Sequence, residues 1–566
     1  MKRLLALALV AVAALCLGSA ARPATGAAPP PSPAWFTVDN GPGDQTDPHI
    51  SGSTVTYTSQ VNGGSAVAVY DIATGSHAEI PTNGGMDFLP DVNGTQVTYT
   101  HLTSQSDVAL YDTTTGQSRI VSQVVPSNRR ESRIGSSTLV WQDFDYTLNV
   151  ATPEITVEDL STGTVTRLTN DSLLDKDPAV SPDGNTIVWT KCQPNGTGCA
   201  IWEATRANGG WQSSALTDTS QGEAALPDTD GHVVVYSLVS GGDEDVHWQP
   251  VGGGAVHHLP LASQQTNPNV SNGVITFEQL DSSTQVPNYD IYLYDIATGA
   301  LYRINSSPQD ETLNDVWVSP SRQVTIVWTA AESDYNVYGV TFQLPPIAGT
   351  MTLAPADGSQ AVGTPSTVTA TVDDQSGAPL AGAQVQYALT GAVSGSGSCT
   401  TAADGTCSFT YQGPAAVGTV DISAYADTNG NGAQDDGEPG ATATRDFAAA
   451  QYTSGGFGGS VAGAPAVNSG HAGRTYSLRW QLTDANGAPI TSLDAIASIA
   501  YRSVACGAFD QPGPEIAAAS PGHSGLRFDT TTNEYVFNWS TPRAGCYTLT
   551  VTLDNGQKLD AYFNLT

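Results

Sequence analysis

One twelve-residue stretch of the sequence has the composition and spacing of a calcium-binding loop. It reads DTNGNGAQDDGE and begins at Asp427. Side-chain oxygens stand at loop positions one, three, five, nine and twelve, a glycine stands at six, and position seven offers its backbone carbonyl. We therefore expect a structural Ca²⁺ ion here, with a polar hairpin tip built on two Asn-Gly pairs as the alternative. The predicted ligands are Asp427, Asn429, Asn431, Ala433, Asp435 and Glu438.

A second acidic stretch, GGDEDVHW, runs from Gly241 to Trp248. We expect its acidic residues and His247 to lie on one solvated turn, with a metal or acid–base site as the alternative. His257 and His258 are adjacent, so in a strand they would point to opposite sides and would not chelate one ion together. The sequence contains no His-Glu-x-x-His, Gly-x-Ser-x-Gly or Gly-x-x-x-x-Gly-Lys motif, and no catalytic residue is assigned.

The strands around the second acidic stretch belong to a unit that repeats along the first part of the chain. The hexapeptide YDIATG occurs at Tyr70–Gly75 and again at Tyr294–Gly299. Alignment on it gives seven units of about 40 to 50 residues, each with three or four short strands and a glycine-containing turn. This period predicts an all-β fold with a β-propeller, seven blades being favoured and six being the alternative. A strand at Trp35–Gly41 belongs to no unit, and we expect it to complete the last blade and close the ring.

An aromatic residue recurs near the end of the second strand of every unit. A repeated aromatic at one strand position is typical of packing between blades, and a ring of exposed stacking platforms is the alternative. The seven residues are Tyr57, Tyr99, Trp141, Trp189, Tyr236, Phe277 and Trp328.

Polar residues recur where the first strands of the units begin. First strands line the central channel of a propeller, so these residues either cap the strands or form a ring at the channel mouth that attracts cations and polar ligands. They are Asp47, Asp87, Glu131, Asp177, Asn267 and Asn314.

The stretch SPDGNTIVWT, from Ser181 to Thr190, resembles the blade signature of TolB-type propellers. The resemblance extends over residues 47–342. It implies a propeller fold and a binding role, and it transfers no catalytic residue. Propellers of that type often have six blades, whereas this chain contains seven units.

Two further modules are predicted after a proline-rich linker. The stretches VTATVDDQSGAPLAGAQVQYALTG and AADGTCSFTYQG resemble the bacterial Ig-like modules of intimin- and invasin-type adhesins, and related modules often carry a calcium loop. The final segment resembles the PxKF module, although its naming motif departs at residues 477–480. The expected domains are a signal peptide (1–21), a Pro/Ala-rich linker (22–34), the propeller (35–343), the Ig-like domain (349–448) and a PxKF-like β-sandwich (449–566).

Export is predicted from the N-terminus and from the cysteines. Lys2 and Arg3 precede an apolar run and then small residues, which is the pattern of a cleaved signal peptide. After Cys16, six cysteines form three local pairs whose spacing favours disulfides over a zinc site. The pairs are Cys192 with Cys199, Cys399 with Cys407, and Cys506 with Cys546.

The formal net charge of −34, without a basic cluster, disfavours nucleic acid and membrane surfaces as partners.

These features together predict a secreted multi-domain binding or adhesion protein. The propeller would recognise an extracellular glycan or protein ligand, and the two modules behind it would act as spacers. One alternative is an extracellular propeller enzyme, such as a polysaccharide lyase, a hydrolase or a peptidase accessory. Another is an envelope scaffold that binds a second protein through the propeller face.

Overall fold

The computed structural model describes residues 27–566 except 62, 83, 122–126, 145–151, 208, 260, 284–285, 450 and 485–486. The predicted signal peptide lies outside the described residues. Strands make up 61% of the structure, and the only helices in its described part are short 3₁₀ turns at Leu493–Ala495 and Pro521–His523. None of the helices described is long and apolar enough to cross a membrane. The prediction of an all-β fold is confirmed.

Seven four-stranded antiparallel sheets make up the propeller, and each runs from an inner strand to an outer one. The inner strands are β2 (Asp44–Ser51), β6 (Met86–Asn93), β10 (Asn128–Ile134), β14 (Leu174–Val180), β18 (Glu223–Thr229), β22 (Gln265–Ser271) and β26 (Glu311–Val318). The second strands are β3 (Thr54–Val61), β7 (Gln96–Leu102), β11 (Thr138–Phe144), β15 (Thr186–Cys192), β19 (Val233–Ser240), β23 (Val274–Asp281) and β27 (Gln323–Ala331). The third strands are β4 (Gly64–Asp71), β8 (Ser106–Asp112), β12 (Pro153–Asp159), β16 (Ala200–Ala207), β20 (Asp243–Pro250), β24 (Asn288–Asp295) and β28 (Tyr335–Gln343). The outer strands are β5 (Ser76–Glu79), β9 (Gln117–Ile120), β13 (Thr164–Arg167), β17 (Gly210–Ala215), β21 (His257–His258), β25 (Ala300–Arg303) and, in the seventh blade, β1 (Ala34–Asp39).

The ring closes as the sequence predicts. Strand β1 pairs antiparallel with β28, with Trp35 opposite Val340 and Phe36 opposite Gly339, so the N-terminal segment completes the last blade. The inner strands contact one another in order around the ring, and β26 contacts β2. The seven-blade prediction is confirmed. Gly339 is required at its position, because a Cβ there would lie 2.3 Å from the Phe36 ring.

The recurring aromatics hold adjacent blades together. Each one is at most 4% exposed, and each joins an apolar cluster with strands of the preceding blade. Tyr57 of the first blade, for example, packs with Val327 and Val337 of the seventh. The prediction of packing between blades is confirmed, and the alternative of exposed platforms is wrong.

Two further pairs of sheets follow the propeller, and each pair encloses one apolar core. The first pair comprises β29 (Ala348–Ala354), β31 (Pro365–Asp374) and β34 (Thr406–Gln412), opposite β30 (Asp357–Ala361), β36 (Gly440–Ala448), β35 (Gly418–Asp427), β32 (Gln384–Gly391) and β33 (Gly395–Thr400). The second comprises β37 (Thr453–Gly458), β39 (Thr475–Thr483), β43 (Glu534–Ser540) and β42 (Leu526–Asp529), opposite β38 (Val467–Gly470), β45 (Lys558–Leu565), β44 (Gly545–Leu553), β40 (Ile496–Val504) and β41 (Ile516–Ala517). Both have the two-layer architecture of β-sandwiches.

Candidate functional site: the central channel

A β-bulge recurs at one position of every inner strand. The ladder with the second strand skips there, and the bulged residue has a φ between 50° and 58°. This left-handed conformation costs a non-glycine residue about 1 kcal/mol, so seven occurrences show that the fold imposes it. The bulged residues are Asp47, Leu89, Glu131, Asp177, Leu226, Asn267 and Leu313. A bulge re-aims the side chains around it, and here it sets what the channel contains.

Two residues after each bulge, the side chains of different blades meet in the channel. We call these seven residues the channel ring. His49 Nδ1 of the first blade lies 3.3 Å from Asp315 Oδ2 of the seventh and 3.7 Å from Asp91 Oδ1 of the second. Contacts among three blades are possible only around the propeller axis. The channel ring consists of His49, Asp91, Arg133, Ala179, Asp228, Asn269 and Asp315.

The aspartates of the channel ring are fixed by the backbone of the next blade. Asp91 Oδ2 accepts the Ile134 N–H at 2.7 Å, and Asp228 Oδ2 accepts the Val270 N–H at 2.7 Å. Asp315 Oδ2 likewise accepts the N–H of residue 50 at 2.8 Å. Each carboxyl group therefore joins two blades, and its position is fixed before any ligand arrives.

Two basic side chains, Arg133 and His49, lie among these carboxylates. Burial alone would lower the pKa of the Arg133 guanidinium, but the nearby Asp91 and Asp47 outweigh that effect and raise it. Burial and Arg133 would also lower the pKa of His49, whereas its contacts with Asp315 and Asp91 raise it overall. The His49 side chain is 12% exposed, so the ring is narrow but reachable by solvent.

Burial raises the pKa values of two carboxyl groups at the channel. It raises the pKa of Asp228 to about 7 and, at Glu278 on β23, also to about 7. Glu278 Oε1 accepts the Asn267 side-chain amide at 2.7 Å and the Leu313 N–H at 2.8 Å. Near neutral pH these two carboxyls are therefore close to their midpoints, and a cationic ligand would favour their ionised forms.

The bulged residues form a mixed rim beside the channel ring. Asp47, Glu131 and Asp177 supply carboxylates, while Leu226 and Leu313 are 38% and 40% exposed. One oxygen of Asp47, Oδ2, is buried and has no hydrogen-bond partner. The rim therefore offers both an unsatisfied acceptor and apolar surface.

The sequence located four of the six predicted rim residues. Asp47, Glu131, Asp177 and Asn267 occupy bulges, but Asp87 and Asn314 do not. Asp87 lies two residues before its bulge, is fully buried, and contacts His101 Nδ1 at 2.6 Å. Asn314 follows its bulge and bonds to the Asn267 carbonyl at 3.1 Å. The channel ring was missed, although a proline stands directly before five of its seven residues, and this recurring proline is a recognisable signal in the sequence.

Among the His, Cys, Asp and Glu side chains in the described part of the chain, one group of three has ligand atoms that all lie within 4.8 Å of one another, and it lies outside the channel. It comprises Glu154, Asp171 and Asp175. Lys191 Nζ already contacts Asp171 at 2.6 Å and Asp175 at 3.1 Å. This group is an ion-pair network in which an ammonium group stands where a metal would bind.

The predicted calcium loop joins β35 to β36 and folds on itself. Asp427 is 5% exposed, and its Oδ2 accepts the Gly432 N–H at 3.0 Å. Glu438 accepts the N–H groups of Thr428 at 2.7 Å and Asp435 at 3.1 Å. Further internal bonds run from the Asn429 and Asn431 side-chain amides to Asp435 Oδ2 and from the Ala433 N–H to Asn431 Oδ1. The structure thus brings all six predicted ligand residues into one closed loop.

The predicted solvated turn at GGDEDVHW is wrong. Only Gly241 and Gly242 turn, and the following residues form β20, whose alternating side chains bury Val246 and Trp248. His257 and His258 form β21 and point to opposite faces, as predicted. His247 stacks on His258 with ring centroids 5.6 Å apart. Burial and then His258 lower the pKa of His247 to about 4.

The six cysteines form three disulfides in the described structure. The bonded pairs are Cys192–Cys199, Cys399–Cys407 and Cys506–Cys546. Disulfides persist in oxidising compartments, so they indicate an extracellular or periplasmic environment.

Comparisons with known proteins show similarity to solved propellers at low identity. The putative TolB from Agrobacterium tumefaciens is 16% identical, with a TM-score of 0.33 over 55% of this chain and 98% of its own. The oligogalacturonate lyase from Vibrio parahaemolyticus is 10% identical, with a TM-score of 0.43 over 55% of this chain and 93% of its own. The β-propeller domain of the Trilobed protease from Pyrococcus furiosus is 11% identical, with a TM-score of 0.41 over 52% of this chain and 95% of its own. No protein-family model matches the sequence, and the search of curated proteins gave no match. The Ig-like and PxKF resemblances remain predictions.

Proposed function

We propose that this chain is an exported binding protein whose propeller channel receives a cationic side chain of an extracellular protein ligand. The observation that carries the proposal is the convergence of fixed carboxylates from different blades. Asp91, Asp228 and Asp315 of the channel ring and Asp47 of the rim outnumber the basic side chains that face them, Arg133 and His49.

Three physical effects favour such a ligand. Charges inside a narrow channel are screened less than charges in open water, so an incoming cation gains more electrostatic energy there. The aspartates are already held by backbone N–H groups, so binding costs little side-chain entropy. The net charge of −34 would add long-range attraction for a basic partner.

The exposed leucines of the rim indicate which kind of cationic ligand would bind. Leu226 and Leu313 lie exposed beside the acidic residues. Lysine and arginine carry a charged head on an apolar stem, and such a stem would cover the leucines while its head reaches the carboxylates. We therefore infer a basic segment of a protein in preference to a glycan or a bare metal ion.

The test is binding of fluorescent lysine- and arginine-rich peptides to the mature chain, measured by anisotropy at two salt concentrations. We expect saturable binding that weakens with salt and falls roughly tenfold in Asp315→Asn, which keeps an acceptor oxygen but loses the charge. Asp421→Asn, an exposed residue of β35, is the matched control and should bind as the wild type does.

Three results would overturn the proposal. Equal binding of acidic and basic peptides would remove the role of the carboxylates. Cleavage of the peptide during the measurement would assign an enzymatic role instead of a binding role. Envelope scaffolding would appear as capture of a protein partner that basic peptides do not displace.

For the loop that begins at Asp427, we infer a structural Ca²⁺ ion. Asp427 is almost fully buried, yet its Oδ1 has no hydrogen-bond partner. Burial also raises the pKa of Glu438, which a bound cation would offset. Calorimetric titration with Ca²⁺ should give one site that is lost in Glu438→Gln, and saturating Ca²⁺ should raise the melting temperature. Absence of heat with Ca²⁺ would leave the polar hairpin tip as the explanation.

A further inference from the structure

A mostly exposed tryptophan lies on the strand that closes the ring. Trp35 of β1 is 53% exposed, whereas the other nine tryptophans of the chain are buried or half-buried. Its ring meets the ring of Trp328 at a right angle, with centroids 6.0 Å apart. Trp328 belongs to the apolar core between the sixth and seventh blades. This contact holds the Trp35 ring in place while leaving more than half of its surface free for a ligand.

Trp35 forms one side of a cleft on the outer part of the seventh blade. The lining of the cleft includes Trp35 and Thr37 of β1, Tyr338 of β28 and Trp328 of β27. The register of the sheet explains this grouping, because Thr37, Tyr338 and Trp328 lie opposite one another on three adjacent strands. Trp35 precedes Thr37 by two residues and so lies on the same face. Three aromatic rings and an aliphatic hydroxyl thus surround one cleft.

A fixed carboxylate stands next to Tyr338. Glu332 lies in the turn between β27 and β28, and its Oε2 accepts both the Asn336 side-chain amide at 2.8 Å and the Tyr338 hydroxyl at 3.2 Å. These two bonds hold the carboxylate in place. The Glu332 side chain is exposed, and its Oε1 has no hydrogen-bond partner among the described residues. One acceptor atom therefore stays free beside the aromatic cleft.

We propose that this cleft binds a neutral oligosaccharide, at a site separate from the channel. A pyranose ring has a face of C–H bonds, which packs on an aromatic ring, and hydroxyl groups at its edge, which both donate and accept hydrogen bonds. Trp35 offers the flat apolar surface, Glu332 Oε1 accepts from a sugar hydroxyl, and the Thr37 hydroxyl can donate or accept. Aromatic walls with a few fixed polar groups are the usual composition of a ligand site.

The neutral groups of the cleft favour a saccharide over a cationic side chain. A lysine or arginine also packs on tryptophan and pairs with a carboxylate, as the channel ligand would. Here, however, two neutral donors already share one oxygen of the Glu332 carboxylate. The other polar groups that line the cleft, the hydroxyls of Thr37 and Tyr338, are also neutral. The cleft therefore matches a surface of hydroxyl groups better than it matches a single positive charge.

The experiment is titration of the mature chain with cellohexaose, maltohexaose and chitohexaose, followed by calorimetry and by tryptophan fluorescence. We expect at least one of them to bind saturably and to change the emission of the exposed Trp35. Trp35→Ala should weaken this binding about tenfold or more, whereas Trp35→Phe, which keeps a flat ring, should weaken it less. Glu332→Gln should also weaken it, because a hydrogen bond to an amide oxygen is weaker than one to a carboxylate.

Tyr335 supplies a matched control. It is an exposed aromatic residue of β28, at 45%, but it lies three residues before Tyr338 and therefore on the opposite face of the strand. Tyr335→Ala should bind each hexasaccharide as the wild type does. Asp315→Asn should also bind them normally while losing affinity for basic peptides. Failure of the channel proposal and failure of this one would therefore give different results.

Any of three results overturns the site. The first is no saturable binding of the three hexasaccharides below about 10 mM. The second is equal binding by Trp35→Ala and Tyr335→Ala. The third is displacement of the saccharide by a basic peptide in Asp315→Asn, which would assign the cleft to cationic side chains. Because Trp35 packs on Trp328, the melting temperature of Trp35→Ala is measured first. If that variant does not fold, Glu332→Gln replaces it, since its change lies in an exposed turn, and unchanged binding by Glu332→Gln then overturns the site.

Discussion

His49 and Asp315 meet at the point where the propeller closes, with His49 Nδ1 3.3 Å from Asp315 Oδ2. The same Asp315 oxygen accepts the Ile50 N–H at 2.8 Å. One carboxylate therefore fastens the first blade to the seventh and also supplies charge to the channel. Structural and binding roles can be separated at this residue by changing its charge while keeping its acceptor.

Asp315→Ala should destabilise the propeller, whereas Asp315→Asn should weaken ligand binding with less loss of stability. The alanine variant leaves the Ile50 N–H unpaired, which costs about 1–3 kcal/mol, while the asparagine oxygen still accepts it. Calorimetric unfolding of both variants beside peptide binding would test this. Equal melting temperatures for the two would show that the hydrogen bond contributes nothing.

Asp228 should make stability and ligand affinity depend on pH in opposite directions. Burial raises the pKa of Asp228 from 3.8 to about 7, so between those values the folded state holds a proton that the unfolded state has lost. Stability relative to Asp228→Asn should therefore fall as pH rises from about 4 to about 7 and then level off. Affinity for a basic peptide should rise over the same range, because Asp228 becomes charged. Comparison of both quantities at several pH values checks the prediction, and parallel curves for wild type and variant would contradict it.

Lys191 should be essential to the stability of the ion-pair network that it forms with Asp171 and Asp175 outside the channel. Lys191 is 8% exposed and contacts Asp175, which is fully buried. Lys191→Met leaves buried carboxylates without their cation, which typically costs about 3 kcal/mol or more. Lys176→Met, whose side chain is 36% exposed and pairs with Asp177, should cost less than about 1 kcal/mol.

The pH response of Lys191→Met provides a second check. Burial raises the pKa of the neighbouring Glu154 to about 7, so this carboxyl takes up a proton easily. Loss of the ammonium group should therefore be less damaging at low pH than at high pH. Destabilisation that does not change with pH would mean that packing of the lysine stem, and not its charge, is what matters.

Gly339→Ala should loosen the closure of the ring. The added Cβ would lie 2.3 Å from the Phe36 ring, which must move and strain the pairing of β1 with β28. We expect a loss of about 1–3 kcal/mol and faster proteolysis near residues 34–39. Gly210→Ala is the control, because a Cβ at Gly210 meets no atom within 4 Å. Identical proteolysis of the two variants would contradict the role of Gly339.

The sequence by itself determined the blades, because each unit must bury its own aromatic and turn at its own glycine. Trp141 and Trp189 could be recognised as core residues in this way, since a repeat that cannot bury its apolar face alone must stack on its neighbour. Closure by the strand at Trp35 followed from the missing fourth strand of the last unit. The calcium pattern from Asp427 to Glu438 was equally local, since all its members lie within one loop.

The tertiary structure alone decided which polar residues share the channel. A bulge adds one residue to the strand and so changes the face on which every later side chain lies. Asp47 occupies such a bulge, whereas Asp87 lies before one, so the two residues differ in position although both begin a unit. Asp315 reaches His49 only because the ring closes. His247 meets His258 only because β20 and β21 pair in one register. A recurring pattern can mark the positions of such residues, but it does not specify which of them touch, because the contacts arise from how the sheets curve around one axis.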